Sequence, residues 1–74
     1  SKGQADAVTV ISPSTTLADA AATALGNMLS SREELDQVIN YGKNIDGVTG
    51  LLIIIGDKIG IWGNLELVKM NQID

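Results

Sequence analysis

The sequence predicts an α+β chain with the element order β-α-α-β-β, its helices packed on a mixed sheet. Three observations carry that prediction. A β-branched cluster, Val8-Thr9-Val10-Ile11, stands near the start. The middle holds an alanine-rich segment and then a second segment with apolar residues at helical spacing. An unbroken apolar run, Leu51-Leu52-Ile53-Ile54-Ile55, is followed by a short turn and an alternating segment. Alternation marks strands, and apolar residues three and four apart mark helices.

The first strand is expected over residues 5–12, because β-branched side chains fit a pleated surface. Pro13 ends it, having no N–H for the ladder. The stretch 12–16, SPSTT, is a cluster of turn and cap residues. Thr16 is expected as a helix N-cap. Asp19 three positions on would make a capping box in which Asp replaces the usual Glu or Gln. The helix then runs from about Leu17 to Leu29. Ala18, Ala20, Ala21, Ala22 and Ala24 favour it, and Leu17, Ala21, Ala24, Leu25 and Met28 form its packing face. Ser31 with Glu34, or Ser30 with Glu33, opens a second helix, which packs through Leu35, Val38 and Ile39 and ends near Gly42.

Asn44-Ile45-Asp46-Gly47 reads as a loop. Gly50 opens a strand over residues 51–55, and its continuous apolar character predicts burial on both faces. Gly56-Asp57-Lys58 connects a hairpin. The return strand is expected from Ile59 to about Val68, with Gly60 and Gly63 marking a bend or bulge. Ile59, Ile61, Leu65 and Leu67 fall on one face; Trp62, Asn64, Glu66 and Val68 fall on the other. The tail from Lys69 to Asp74 carries no pattern. Two helices and a hairpin cover mainly one face of the apolar strand, so further chain or another subunit is expected on the far side.

Composition narrows the function. Seventy-four residues make one small domain, marginal in stability by itself. The absence of Cys and His excludes disulfides, thiolate or imidazole metal sites and His-based acid–base or nucleophile systems. The net charge is −4, and the five cations are scattered, with Trp62 and Tyr41 the only aromatic residues. That argues against a nucleic-acid partner. No segment has the length and apolarity to span a membrane, and no signal peptide is visible, so a cytoplasmic location is expected. The 45% apolar content is high for a small, aromatic-poor chain, and the first residue is Ser1. Both suggest part of a longer protein, or a chain that covers its core with another.

The chemistry-bearing pair is Asp19 and Thr23. Their i, i+4 spacing projects both from one helix face, and Asn27 continues the stripe past Gly26. A carboxylate and a hydroxyl one turn apart can hold a hard cation such as Mg²⁺, which completes its shell with water or substrate phosphate. The plainer reading makes Asp19 a cap and lets Thr23 bond back to a carbonyl or face water. Asp57 and Lys58 read as a solvated turn pair. Glu33, Glu34 and Asp36 suit the start of a helix without any metal. Trp62 packs on the strands or stacks on a planar ligand, and Tyr41 is expected to be half-buried. Neither GxxxxGK[ST] nor GxGxxG occurs, so there is no phosphate loop. No catalytic residue is assigned.

The stretch VTVISPSTTLADAAATAL resembles the C-terminal motif of the ApbE flavin transferases, and more closely an uncharacterised prokaryotic family related to them. The ApbE pattern A-D-A-x-x-T-A-L is matched at Ala18, Asp19, Ala20, Thr23, Ala24 and Leu25. The later stretch DGVTGLLIIIGDKIGIWGNLELV resembles the closing hairpin of the uncharacterised relatives, so the likeness runs from about Ala5 to Val68. It implies that residues 1–74 form a single C-terminal segment of an ApbE-like fold, completed by an N-terminal part of the chain. It implies Mg²⁺ ligation by Asp19 and Thr23, and FAD or FMN as the flavin of the full-length protein. ApbE enzymes cut FAD and attach its FMN part to a Thr or Ser of a target protein, using Mg²⁺. The larger part of the family's flavin-binding surface lies outside these residues, so flavin transfer is not expected of this segment alone. The alternative is a non-catalytic structural or oligomerisation module, since a shared fold does not carry function with it.

Overall fold

A computed structural model of the chain describes residues 4–63. The strands and helices are β1 (Ala7–Ile11), α1 (Thr15–Met28), a single 3₁₀ turn (Arg32–Glu34), α2 (Leu35–Lys43), β2 (Gly50–Ile55) and β3 (Lys58–Gly63). The α+β class and the β-α-α-β-β order hold. The strands lie in the order β1-β2-β3, and both pairings are antiparallel where a mixed sheet was expected. The reason is in the connection. Two helices take the chain away from the end of β1 and back to it, so β2 starts opposite Ile11 and runs the other way.

The starts of both helices differ from expectation. Ser14, not Thr16, caps α1: its backbone is extended and its Oγ accepts the N–H of Leu17 at 3.1 Å. The first turn contains no acid, so Asp19 lies beyond the cap. Before α2 the pair that forms is Ser30 with Glu34, with Ser30 the donor in both bonds. Oε1 of Glu34 accepts both the N–H and the hydroxyl of Ser30 at 2.9 Å, while Ser31 makes no side-chain cap bond. The chain tightens into a 3₁₀ turn there, and that moves the matching partner back by one residue.

One face of the sheet is covered by the helices. Leu25, Leu29, Leu35, Leu51 and Ile53 are fully enclosed, with Ala21, Val38, Val48 and Ile55 around them. On α1 the packing stripe is Leu17, Ala21 and Leu25, continued by the C-cap residue Leu29, whereas Ala24 and Met28 of the expected face lie outward. Helix α2 sits across β3 at Gly60. A Cβ there would lie 2.9 Å from Cγ1 of Ile39, so Gly60 is the seat of a helix and not a bulge, and it pairs regularly with Ile53. The two-residue turn Gly56-Asp57 joins β2 to β3, with Gly56 at φ 61°, the left-handed backbone suited to the first central position of a type II′ turn.

The other sheet face carries three cross-strand rows: Ala7–Ile54–Ile59, Thr9–Leu52–Ile61 and Ile11–Gly50–Gly63. Within this chain β2 is fully buried on one face only. Leu51, Ile53 and Ile55 are buried while Leu52 and Ile54 are half-buried, because the helices cover one side only. Ile59 and Ile61 share the outward side of β3, and Trp62 is half-buried against the core on the inward side. The expected continuation of the return strand through Asn64, Leu65, Glu66, Leu67 and Val68 lies outside the described residues.

Candidate functional site

The residues around Asp19 are placed by local rules. Pro13 and the cap at Ser14 start α1 just past the end of β1. The alanines then carry the helix with small side chains, leaving the polar ones standing clear. Asp19 and Thr23 are both exposed on this helix. They border one open hollow of about 610 Å³, together with Thr15, Thr16, Ala20 and Ala24. The structure thus brings together the two residues that the motif singled out. Asn27 is not among the lining residues, and Gly26 faces Val8 of β1 rather than leaving room beside the pair.

The hydroxyl of Thr23 donates to the main-chain carbonyl of Asp19 at 3.1 Å. This back-bond is usual for Thr inside a helix. It uses the hydroxyl proton and leaves lone pairs on Oγ1, so the oxygen retains acceptor capacity. The donor set of the hollow is one carboxylate and three hydroxyls, all hard oxygen, and suits Mg²⁺ in type. It is a partial set. Among the described residues no group of three or more Asp or Glu side chains could hold a metal by itself. Thr15 and Thr16 join the hollow because the helix starts two residues earlier than the sequence suggests.

Two further features were not visible in the sequence motifs. Met28, Gln37, Asn40, Tyr41, Asn44 and Ile45 line a second open cleft, of about 740 Å³. Positions 37, 40 and 41 share one side of α2 and the C-cap Asn44 follows at the same three- and four-residue spacing, a signal that could have found them. Tyr41 is exposed there, contrary to the half-buried expectation, because α2 turns its apolar side to β2 and β3.

The second feature is at the hairpin tip. Asp57 is solvated as expected, its side chain 78% exposed, and both it and Lys58 reach Arg32. Asp57 bonds Arg32 at 2.7 Å, and Lys58 donates to the carbonyl of Arg32 at 3.4 Å. Hydrogen bonds from the N–H and hydroxyl of Ser30 lower the carboxyl pKa of Glu34 below its ordinary value. A local structural role thus accounts for this member of the acidic cluster.

No helix among the described residues is long and apolar enough to cross a membrane. The family model described as AbpE bacteria matches residues 1–66. The chain is 43% identical over 72 residues to a UPF0280 protein of Methanocella arvoryzae, a match covering 97% of this chain and 29% of the relative. It is 38% identical over 72 residues to the UPF0280 protein of Methanosarcina acetivorans, covering 96% of this chain and 28% of that one. For the UPF0280 protein of Archaeoglobus fulgidus the identity is 41% over 67 residues, covering 85% and 29%. The chain therefore spans about three-tenths of the length of these relatives. No solved structure matches it significantly. With the family model covering all but its last residues, the chain belongs to the AbpE bacteria family, in keeping with the ApbE-related motif at Ala18–Leu25.

Proposed function

We propose that this chain is part of an ApbE-like, flavin-handling protein in which Asp19 and Thr23 help hold a Mg²⁺ ion beside the diphosphate of FAD. The observation that carries the proposal is the shared exposure of Asp19 and Thr23 on the rim of one hollow near the start of α1. The motif likeness supports the same assignment, as does membership of the family. When bound, the ion would neutralise charge on the phosphate oxygens as a P–O bond breaks. Asp19 supplies the one charged ligand of the hollow, and Thr23 a neutral oxygen held in place by its back-bond. The remaining ligands and the flavin surface belong to the rest of the polypeptide, and flavin transfer is a property only of the longer protein.

The experiment is a flavin titration of the full-length Methanocella arvoryzae relative, with and without Mg²⁺. The variants replace the residues aligned with Asp19 and Thr23 by Asn and Val. Metal-dependent FAD binding that is lost in the Asp19→Asn equivalent supports the proposal. Binding that is equal with and without metal, or absent altogether, overturns it.

A structural reading is favoured by one bond, Thr23 Oγ1 to the carbonyl of Asp19, which ties the hydroxyl into the helix. On that reading both aligned variants leave every ligand response unchanged. The reading keeps the chain as a non-catalytic packing or oligomerisation module.

A further inference from the structure

We propose that the outward face of the sheet is a docking surface for the part of the family's polypeptide that lies outside the matched stretch. This does not rest on the flavin reading. An antiparallel sheet with one solvated face normally alternates apolar-in with polar-out. Here the outward positions do not. Ile59 is 61% exposed, Ile61 58% and Ile11 39%, with Leu52 and Ile54 half-buried between them. No outward strand position carries a charge, and Thr9 alone carries a hydroxyl. Neighbouring rows join these side chains into one apolar patch across all three strands, the kind of surface that marks an interface.

The occupant is indicated by length. Relatives of about 40% identity over nearly this whole chain carry roughly seven-tenths of their residues elsewhere. A sheet that leaves one face uncovered here, in a family whose proteins carry that much further chain, has its second layer at hand. The occupant needs aliphatic or aromatic side chains opposite Leu52, Ile54, Ile59 and Ile61, and a hydrogen-bonding group opposite Thr9.

Cysteine protection tests this. Ile61→Cys is introduced into the 74-residue chain, and cysteine is placed at the aligned position of the full-length Methanocella arvoryzae relative. An aromatic disulfide reagent is timed against each protein, native and urea-unfolded, with the relative's own thiols subtracted using its parent. The cysteine of the short chain should react within about twofold of its unfolded rate, and that of the relative at least about tenfold slower than its own. Ile59→Cys repeats the measurement on the same face if the first variant melts early. Equal native and unfolded rates in the relative overturn the proposal. Protection that disappears when dilution converts a dimer to monomer, read by light scattering, also overturns it and gives the face to a second copy.

Discussion

The carboxylate of Asp6 accepts the main-chain N–H of Gly56 at 2.7 Å, joining residues fifty apart in sequence. It ties the start of β1 to the β2–β3 turn, beside the ladder bond from the Asp6 N–H to the Ile54 carbonyl. Removing the carboxylate leaves a turn amide without its charged acceptor. Asp6→Ala should cost about 0.5–1.5 kcal/mol, the net contribution of a typical intramolecular hydrogen bond. Urea unfolding gives the cost. Hydrogen exchange at Gly56 should speed up in the variant, and an unchanged rate would show that the contact is immaterial.

Helix α1 should be sensitive at Ser14 and indifferent at Thr16. Ser14→Ala removes the acceptor for the Leu17 N–H and should destabilise by about 1 kcal/mol. Thr16→Ala touches no cap bond and should stay within about 0.5 kcal/mol of the parent. Paired thermal melts of the two variants check this, and the opposite ranking would restore the cap to Thr16.

Asp19 gives a related expectation. It is exposed and does not cap the helix, so Asp19→Ala should change stability by less than about 0.5 kcal/mol in the absence of ligand. A larger loss in a metal-free melt would reveal a structural role that the contacts do not show. With stability unaffected, any loss of flavin or Mg²⁺ response in the aligned variant of the longer relative reports on binding.

Glu34 predicts a pH effect. Its pKa is lowered in the folded chain by the two hydrogen bonds from Ser30. A carboxyl depressed on folding contributes stability that is fully present above its unfolded value. That contribution is lost as the pH falls through the folded value. The thermal midpoint should therefore drop as the pH is taken below the ordinary glutamate range. Glu34→Gln should flatten that part of the profile while shifting the midpoint little at acidic pH. Parallel profiles for the two proteins would count against the Ser30–Glu34 linkage.

The core is least forgiving where α1 and α2 close on β2. Leu25 and Leu51 are fully enclosed, and a Cβ at Gly42 would lie 2.9 and 2.7 Å from their methyl groups. Leu25→Ala should cost about 2–5 kcal/mol through lost contacts and a cavity. Gly42→Ala should cost about 1–3 kcal/mol through overpacking. Denaturant unfolding measures both. A neutral Gly42→Ala would mean that the leucines have room to turn aside.

Much of this arrangement could be read from local pattern. The β-branched run at Val8–Ile11, the alanines of α1, the Leu35/Val38/Ile39 spacing and the Gly56-Asp57 turn each name an element by its own periodicity or backbone preference. Asp19 and Thr23 were legible for the same reason, since residues four apart on a helix share a face wherever that helix sits. Tertiary contact decided the rest. The covered face of the sheet follows from strand register, because a shift of one residue exchanges every inward and outward side chain. That choice put Trp62 inside and Ile59 and Ile61 outside. The docking of α2 over Gly60 turned Tyr41 outward, and the two-helix return made the sheet antiparallel. The bonds Asp6–Gly56 and Arg32–Asp57 join residues that no local pattern relates, and they exist only once the strands have aligned. Local preference fixes which element each segment forms, whereas the side that an element buries depends on what the rest of the chain brings against it.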